Sequence, residues 1–236
     1  MPTRFFRFRT DISMKFILDF IYRKRCLLCN DILTNKSQNI CKQCEEEISP
    51  AYDIPIFPVI MRPKGKITSY IKTAASPFYY SGSIRDGILG LKFKKRTGNA
   101  KYFAGFLKST LIHNDLEISD AIIPVPLSKK RFKKREYNQS ELLANELCLI
   151  TGIPVYNDVL FKIKDTKPNM TLKSAVERRA NVKDAYIVKN PEKIKGLKLL
   201  LLDDIITTGA TIKECAKLLH KAEAGEINCV SIARSR

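Results

Sequence analysis

The sequence predicts an α/β domain with a parallel sheet covered by helices on both faces, preceded by a small four-cysteine module. Three observations predict it. Apolar strand-like runs alternate with stretches of helical periodicity from about residue 69 onward. Residues 199–202 are four consecutive leucines, as continuous a run as a central strand buried on both faces requires. Near the N-terminus, Cys26, Cys29, Cys41 and Cys44 read C-x2-C-x11-C-x2-C.

Length and composition set the outer limits. The 236 residues are 44% hydrophobic and 28% charged, the balance of a folded chain with a core rather than a disordered one. No window approaches the roughly eighteen consecutive apolar residues of a membrane helix, which excludes an integral membrane protein of that kind. The opening MPTRFFRFRTDISMKFILDFIYRKRC holds neither a sustained apolar region nor a small-residue cleavage site. No secretory signal is read there, and a cytoplasmic location is expected. Met14 is an alternative start.

In chain order, the cysteine module runs to about Pro50, and Pro50, Pro55, Pro58 and Pro63 mark an extended connector. The expected division is 1–60 for the N-terminal segment and module, and 61–236 for the α/β domain. Residues 78–80 read as a short strand, and Ile84, Ile88 and Leu91 fall at helical spacing. Phe103, Phe106, Leu107 and Leu111 mark a second helix, and residues 120–125 a buried strand closed by prolines. Leu143, Leu147 and Ile150 line one face of a third helix, stopped by Gly152 and Pro154. A variable segment leads to the leucine run. Ile212, Cys215, Ala216 and Leu219 then form a helix face, and residues 227–233 a last strand.

Two C-x2-C knuckles can place four thiolates around one ion, the arrangement of a structural Zn²⁺ site with no open coordination position. Disulfides and a redox pair are the competing readings; a reducing compartment disfavours the first, and the second leaves the matching pair unexplained. Cys148, Cys215 and Cys229 lie singly in apolar patterns and read as small buried residues.

The charge calls for a polyanion. Lys plus Arg number 42 against 24 Asp plus Glu, a formal net charge of +18. The cations cluster: six of the seven residues Lys129, Lys130, Arg131, Phe132, Lys133, Lys134 and Arg135 are basic. Lys92, Lys94, Lys95 and Arg96 form a second cluster; Arg4, Arg7, Arg9, Arg23, Lys24 and Arg25 form a third. A solvated basic loop is the bland reading of the first. Phe132 and Tyr137 interleave with its cations, and Phe93 with the second cluster. Cations beside rings on which bases stack suit single-stranded nucleic acid.

The sharpest segment is LLLLDDIITTGAT, residues 199–211. A strand ends in Asp203 and Asp204, and a short turn enters a helix. Thr207, Thr208 and Thr211 offer hydroxyls, Gly209 and Ala210 offer close backbone approach, and the helix start favours a phosphate. A ribose 5-phosphate fits, with its diol on the acids. The competing reading is an ordinary strand-to-helix turn with capping threonines. The Walker A frame is missing.

This motif resembles the PRPP-binding motif of type I phosphoribosyltransferases. Together with the four cysteines, YSGSIRDGILGLKFKKRTG, IIPVPLSKKRFKKREYNQS and KDTKPNMTLKSAVERRANV resemble the ComF (ComFC) family of competence proteins. The resemblance implies a type I phosphoribosyltransferase-like parallel sheet plus a zinc finger, and a protein that handles incoming single-stranded DNA during natural transformation. It implies PRPP as ligand with Mg²⁺, and a competence helicase as partner. Asp203 and Asp204 match the acidic pair, residues 207–211 the phosphate loop, and Val125 and Pro126 the pyrophosphate turn. Arg178, Arg179 and Asn181 match the flexible catalytic loop, and Asn169 stands where a Gln is common. Glu136 replaces a family glycine. Two activities follow as rival expectations: DNA binding with a retained pocket, or phosphoribosyl transfer to an unidentified acceptor.

Overall fold

The alternating apolar runs become a parallel sheet in the structure, a computed structural model that describes residues 23–35, 37–51, 70–167 and 174–235. Arg4, Arg7, Arg9, Met14, Pro55, Pro58, Pro63, the boundary near residue 60 and Asn169 lie outside them. Strand β6 (Lys198–Ile206) is central, paired in parallel with β3 (Ala121–Pro124) on one side and β7 (Glu226–Arg234) on the other. The two short strands β1 (Ala74–Ala75) and β2 (Phe78–Tyr79) share the outer edge of β7.

Strand alternation gives the sheet two cores. Leu200 and Leu202 join Ile122, Val230 and Ile232 on one face; Leu199 and Leu201 join Ile123, Ile227 and Cys229 on the other. Helices α2 (Gly82–Phe93), α3 (Asn99–His113) and α5 (Gln139–Thr151) cover the first face through Ile88, Leu91, Phe103, Leu107, Leu143 and Leu147. The second is covered by α7 (Ala210–Lys221) and by the antiparallel pair β4 (Leu160–Lys162) and β5 (Tyr186–Val188). Cys215 and Cys229 are buried as expected, whereas Cys148 is only half-buried. Local chemistry sets the helix ends: Asn138 caps α5 by accepting from the Ser140 amide, and Gly152 closes it at φ +78°.

Three expectations change. The strand does not stop at the acids; β6 continues through Asp203 and Asp204 to Ile206 and ladders with β7 throughout. The basic run is neither loop nor strand but helix α4 (Lys129–Arg135), with no buried residue. With only Phe132 to pack, α4 relies on polar ties: Ser128 caps it, and Arg131 donates to the Thr166 carbonyl at 2.9 Å. The stretch left as variable carries β4, β5 and α6 (Ala175–Val182), elements too short to show a period.

The cysteine module is fused to the first core. Cys26, Leu28, Leu33, Ile40 and Cys44 belong to the same apolar cluster as Ile88, Phe103 and Leu143. Arg96 donates to the carbonyls of Leu28 and Asp86, both at 3.1 Å, and buried Asn99 to those of Leu27 and Gly87 at 2.7 and 2.8 Å. Gly90 makes this clamp feasible, since a Cβ there would lie 2.2 Å from an Arg96 guanidinium nitrogen.

Candidate functional site

At the carboxyl end of β6 the chain turns through Thr207 and Thr208, and Gly209 caps α7 at φ +72°. That left-handed backbone suits glycine. The amides of Thr208, Gly209 and Ala210 meet no acceptor among the described residues. The Thr208 hydroxyl is buried and also lacks a partner. Unpaired donors at a helix start form an anion cradle, because the helix dipole adds to them. The turn therefore fits a phosphate.

The two acids have different partners. Asp203 accepts from its neighbour's amide at 2.8 Å and from the Ser140 hydroxyl at 3.2 Å. Burial, then the Asp204 charge, pushes its carboxyl well above the usual aspartate range, against the pull of Lys92. Asp204 pairs with Lys92 at 2.9 Å, with only 12% and 16% of their side chains exposed, respectively. Lys162 bonds Thr166 at 2.9 Å and the Tyr186 hydroxyl at 3.0 Å. Burial, then nearby Arg131, pushes Lys162 down to about 8, while Asp203 is among the charges resisting that shift. Burial pushes Tyr186 up, opposed by its hydrogen bond to Thr211. The pocket thus holds two acids among several cations, and a ligand diol would compete with Lys92 for Asp204.

Sequence reasoning missed Ser140, Lys162 and Tyr186, and assigned Lys92 to a surface. A signal for Lys92 existed. It stands four residues after Ile88 and eight after Ile84, on the apolar face of α2, where a lysine needs a partner.

The four cysteines converge as their spacing predicts, with all four sulfurs within 4.8 Å of one another. This group could hold a metal ion. Asn30 turns the first knuckle at φ 77°, and the Cys41 amide points at the Cys26 sulfur at 3.4 Å. Burial opposes ionisation of Cys26, but the amides of Cys41, Leu28 and Cys29 outweigh it and hold the thiol at about 7. Cys44 is pushed up to about 11 by burial and by Cys41.

Residues 140–236 match the phosphoribosyl transferase domain family, a stretch holding both acids and the whole phosphate turn. Competence protein F of Haemophilus influenzae is 37% identical over 123 residues, 52% of this chain and 53% of that protein. Competence protein ComFC of Bacillus subtilis is 24% identical over 213 residues, 90% of this chain and 85% of that protein. The chain is thus similar in sequence to competence proteins of the ComF type. DNA utilization protein YhgH of Salmonella typhimurium is 30% identical over 149 residues, 61% of this chain and 64% of that protein. The chain spans about half the length of the Haemophilus relative and under two thirds of the Salmonella one. Its fold is of the type I phosphoribosyltransferase class.

Other expected site residues are redistributed. The Val125 amide donates to Leu202 at 2.9 Å and its carbonyl accepts from Asn138 at 3.1 Å, while Pro126 has no N–H. The first free backbone donor of the 124–127 turn is therefore Leu127. Arg178 and Arg179 lie on helix α6, which packs against α7, rather than on a loop. Asn181 clamps the Lys167 backbone at 2.9 and 3.0 Å.

Four of the cations assigned to DNA turn inward instead. Lys92 meets Asp204, Arg96 clamps the cysteine module, and Arg131 reaches Thr166. Arg135 binds Gln139 at 2.6 Å and lies over the Phe93 ring at 4.7 Å. Tyr137 is fixed to the Leu91 carbonyl at 2.6 Å and is not a free stacking surface. Lys95 pairs with Glu136 at the surface. Lys94, Lys129, Lys130, Phe132, Lys133 and Lys134 remain exposed.

The family resemblance implies a glycine at the position of Glu136. Glu136 ends α4 in the left-handed region at φ 71°. A non-glycine residue in that region costs about 1 kcal/mol, and its exposed pair with Lys95 returns little. Glu136→Gly is expected to stabilise the chain by about 0.5–1 kcal/mol, and Glu136→Val to destabilise it. Thermal unfolding decides; a lower midpoint for Glu136→Gly would show that the Lys95 pair outweighs the strain.

Proposed function

We propose that this chain is a DNA-uptake accessory protein of the ComF type that binds single-stranded DNA and keeps a pocket for PRPP or another ribose 5-phosphate compound. The observation that carries the pocket is the buried, unpartnered Thr208 hydroxyl in a turn of free amides that follows the two acids after Ile205 and Ile206. The names of the relatives carry the DNA role. The basic, aromatic-bearing helix α4 supplies a surface for it. The four cysteines hold a structural Zn²⁺, closed to chemistry because all four positions are filled by sulfur. Mg²⁺ would arrive with PRPP, since it keeps substrate phosphates among its ligands. The protein works in the cytoplasm, with a competence helicase as partner.

Salt dependence tests the DNA reading. The log–log slope of single-strand affinity should be about −0.7 per phosphate contacted, and Lys133→Ala or Lys134→Ala should each make it shallower by about that amount. Phe132→Ala should weaken binding about fivefold or more with the slope unchanged, because lost stacking releases few ions. Equal affinity for single and double strands, unaffected by Phe132→Ala, would reduce this to nonspecific charge.

The intact acids and phosphate turn also support a second reading, a working phosphoribosyltransferase. There the chain would hold the ribose diol on Asp203 and Asp204 and the phosphate on residues 207–211 while an acceptor displaces pyrophosphate. Pyrophosphate release from PRPP, lost in Thr208→Val, separates that reading from a binding-only pocket.

A further inference from the structure

A cleft of about 210 Å³ lies beside the basic helix, lined by residues that include Pro126, Leu127, Phe132, Glu141, Asn157 and Phe161. Pro126 and Leu127 also belong to the turn expected to meet pyrophosphate, but no residue of the phosphate turn 207–211 lines the cleft. Two rings share it: Phe132 from α4, 47% exposed, and half-buried Phe161 from β4. Each has a cation beside it. Lys129 stands one helical turn before Phe132, and the Lys189 ammonium lies 4.9 Å from the Phe161 ring centroid.

The polar groups of the cleft narrow the occupant. Glu141 is the third residue of α5, where a capping glutamate normally turns back to the N-cap amide. It makes no such bond. Neither the Glu141 nor the Asn157 side chain has a hydrogen-bond or ion-pair partner among the described residues. A carboxylate inside the cleft repels phosphate and favours an occupant that carries donors and no negative charge. The phosphates must stay on the lysines outside.

We propose that this cleft is a nucleobase subsite, in which one amino-bearing base of a single strand lies against Phe132 and Phe161 and donates to Glu141, with the flanking phosphates on Lys129 and Lys189. Rings flanked by cations give stacking and backbone contact together. Glutamate accepting from the cytosine amino group is an established base contact. Thymine lacks an amino group, and its one ring N–H lies between two carbonyl oxygens that the carboxylate would repel. The cleft therefore adds to the sequence-tolerant DNA reading, on which it rests, a preference for cytosine over thymine.

The test is fluorescence anisotropy of the full chain with oligo(dC) and oligo(dT) of about twelve nucleotides, at one salt concentration. Oligo(dC) should bind at least about fivefold tighter. Glu141→Gln, which keeps the side-chain shape and removes the charge, should erase that preference while oligo(dT) binds at least as well as before. Phe161→Leu should weaken both strands equally. Equal affinities in the wild type, or a preference that survives Glu141→Gln, overturns the subsite and leaves the DNA reading standing. No binding of either strand at low salt overturns both. Displacement of oligo(dC) by cytidine 5′-monophosphate at comparable concentration would instead assign the cleft to a free nucleotide and overturn its place on a strand.

Discussion

Cys44→Ser should strip the metal from the chain and unfold far more than the module that contains it. Four sulfurs within 4.8 Å of one another could hold one metal ion, and as thiolates they would repel one another without it, so metal affinity would be tied to folding there. Cys26, Leu28 and Cys44 also belong to the core that supports α2, α3 and α5. Loosening them opens that face. Lost metal sites fall in the tail of mutational effects, about 4 kcal/mol, which for a chain of this size shifts the melting point by about 8–16 °C. Cys148→Ser, outside the cluster, should leave metal content and melting unchanged. Elemental analysis and calorimetry check both; reduced wild-type protein without metal, or a Cys44→Ser variant that melts normally, contradicts the account.

Asp203→Asn should raise stability and lower ligand affinity at once. The folded state holds the Asp203 proton more tightly than the unfolded chain does, because burial and Asp204 raise its pKa above the ordinary 3.8. A raised folded value gives stability that is present below 3.8 and is lost as the pH rises through the folded value. At pH 8 the charged carboxylate is therefore a net burden on folding. Its replacement by a neutral isostere should stabilise the apo chain on the order of 1 kcal/mol at pH 8, with the gain vanishing in acid. Ribose 5-phosphate or PRPP affinity should fall about 10- to 100-fold, the worth of hydrogen bonds to a charged acceptor. Thermal unfolding across pH, paired with ligand titration, reads both. A lower melting point at pH 8 would show that the bonds from Ser140 and the Asp204 amide make the carboxylate structural.

Much of this was legible in the residues, and the failures have physical causes. Residues 199–202 announced a doubly buried strand because no residue type but leucine occurs there, and both faces of β6 are indeed covered. The cysteine spacing predicted convergence because two knuckles allow little else. The direction of the cations was not legible. Charge clustering along the chain carries no information on facing, and a helix sends neighbouring residues to different sides. Lys92 therefore reaches Asp204 while Lys94 stays in solvent. Periodicity cannot show elements of three residues, so β4 and β5 were invisible, and with them Lys162 and Tyr186. Glu136 shows the converse: its departure from glycine marked a special backbone position, and the structure supplies the left-handed φ behind it.

The most direct test of the central claim is calorimetric titration of the full chain with PRPP in Mg²⁺, repeated with Thr208→Val. The free amides of the turn and the unpartnered hydroxyl predict one site per chain, weakened at least about tenfold when the hydroxyl is removed. Absence of binding by PRPP and ribose 5-phosphate at millimolar concentration, or wild-type affinity in Thr208→Val, would contradict it.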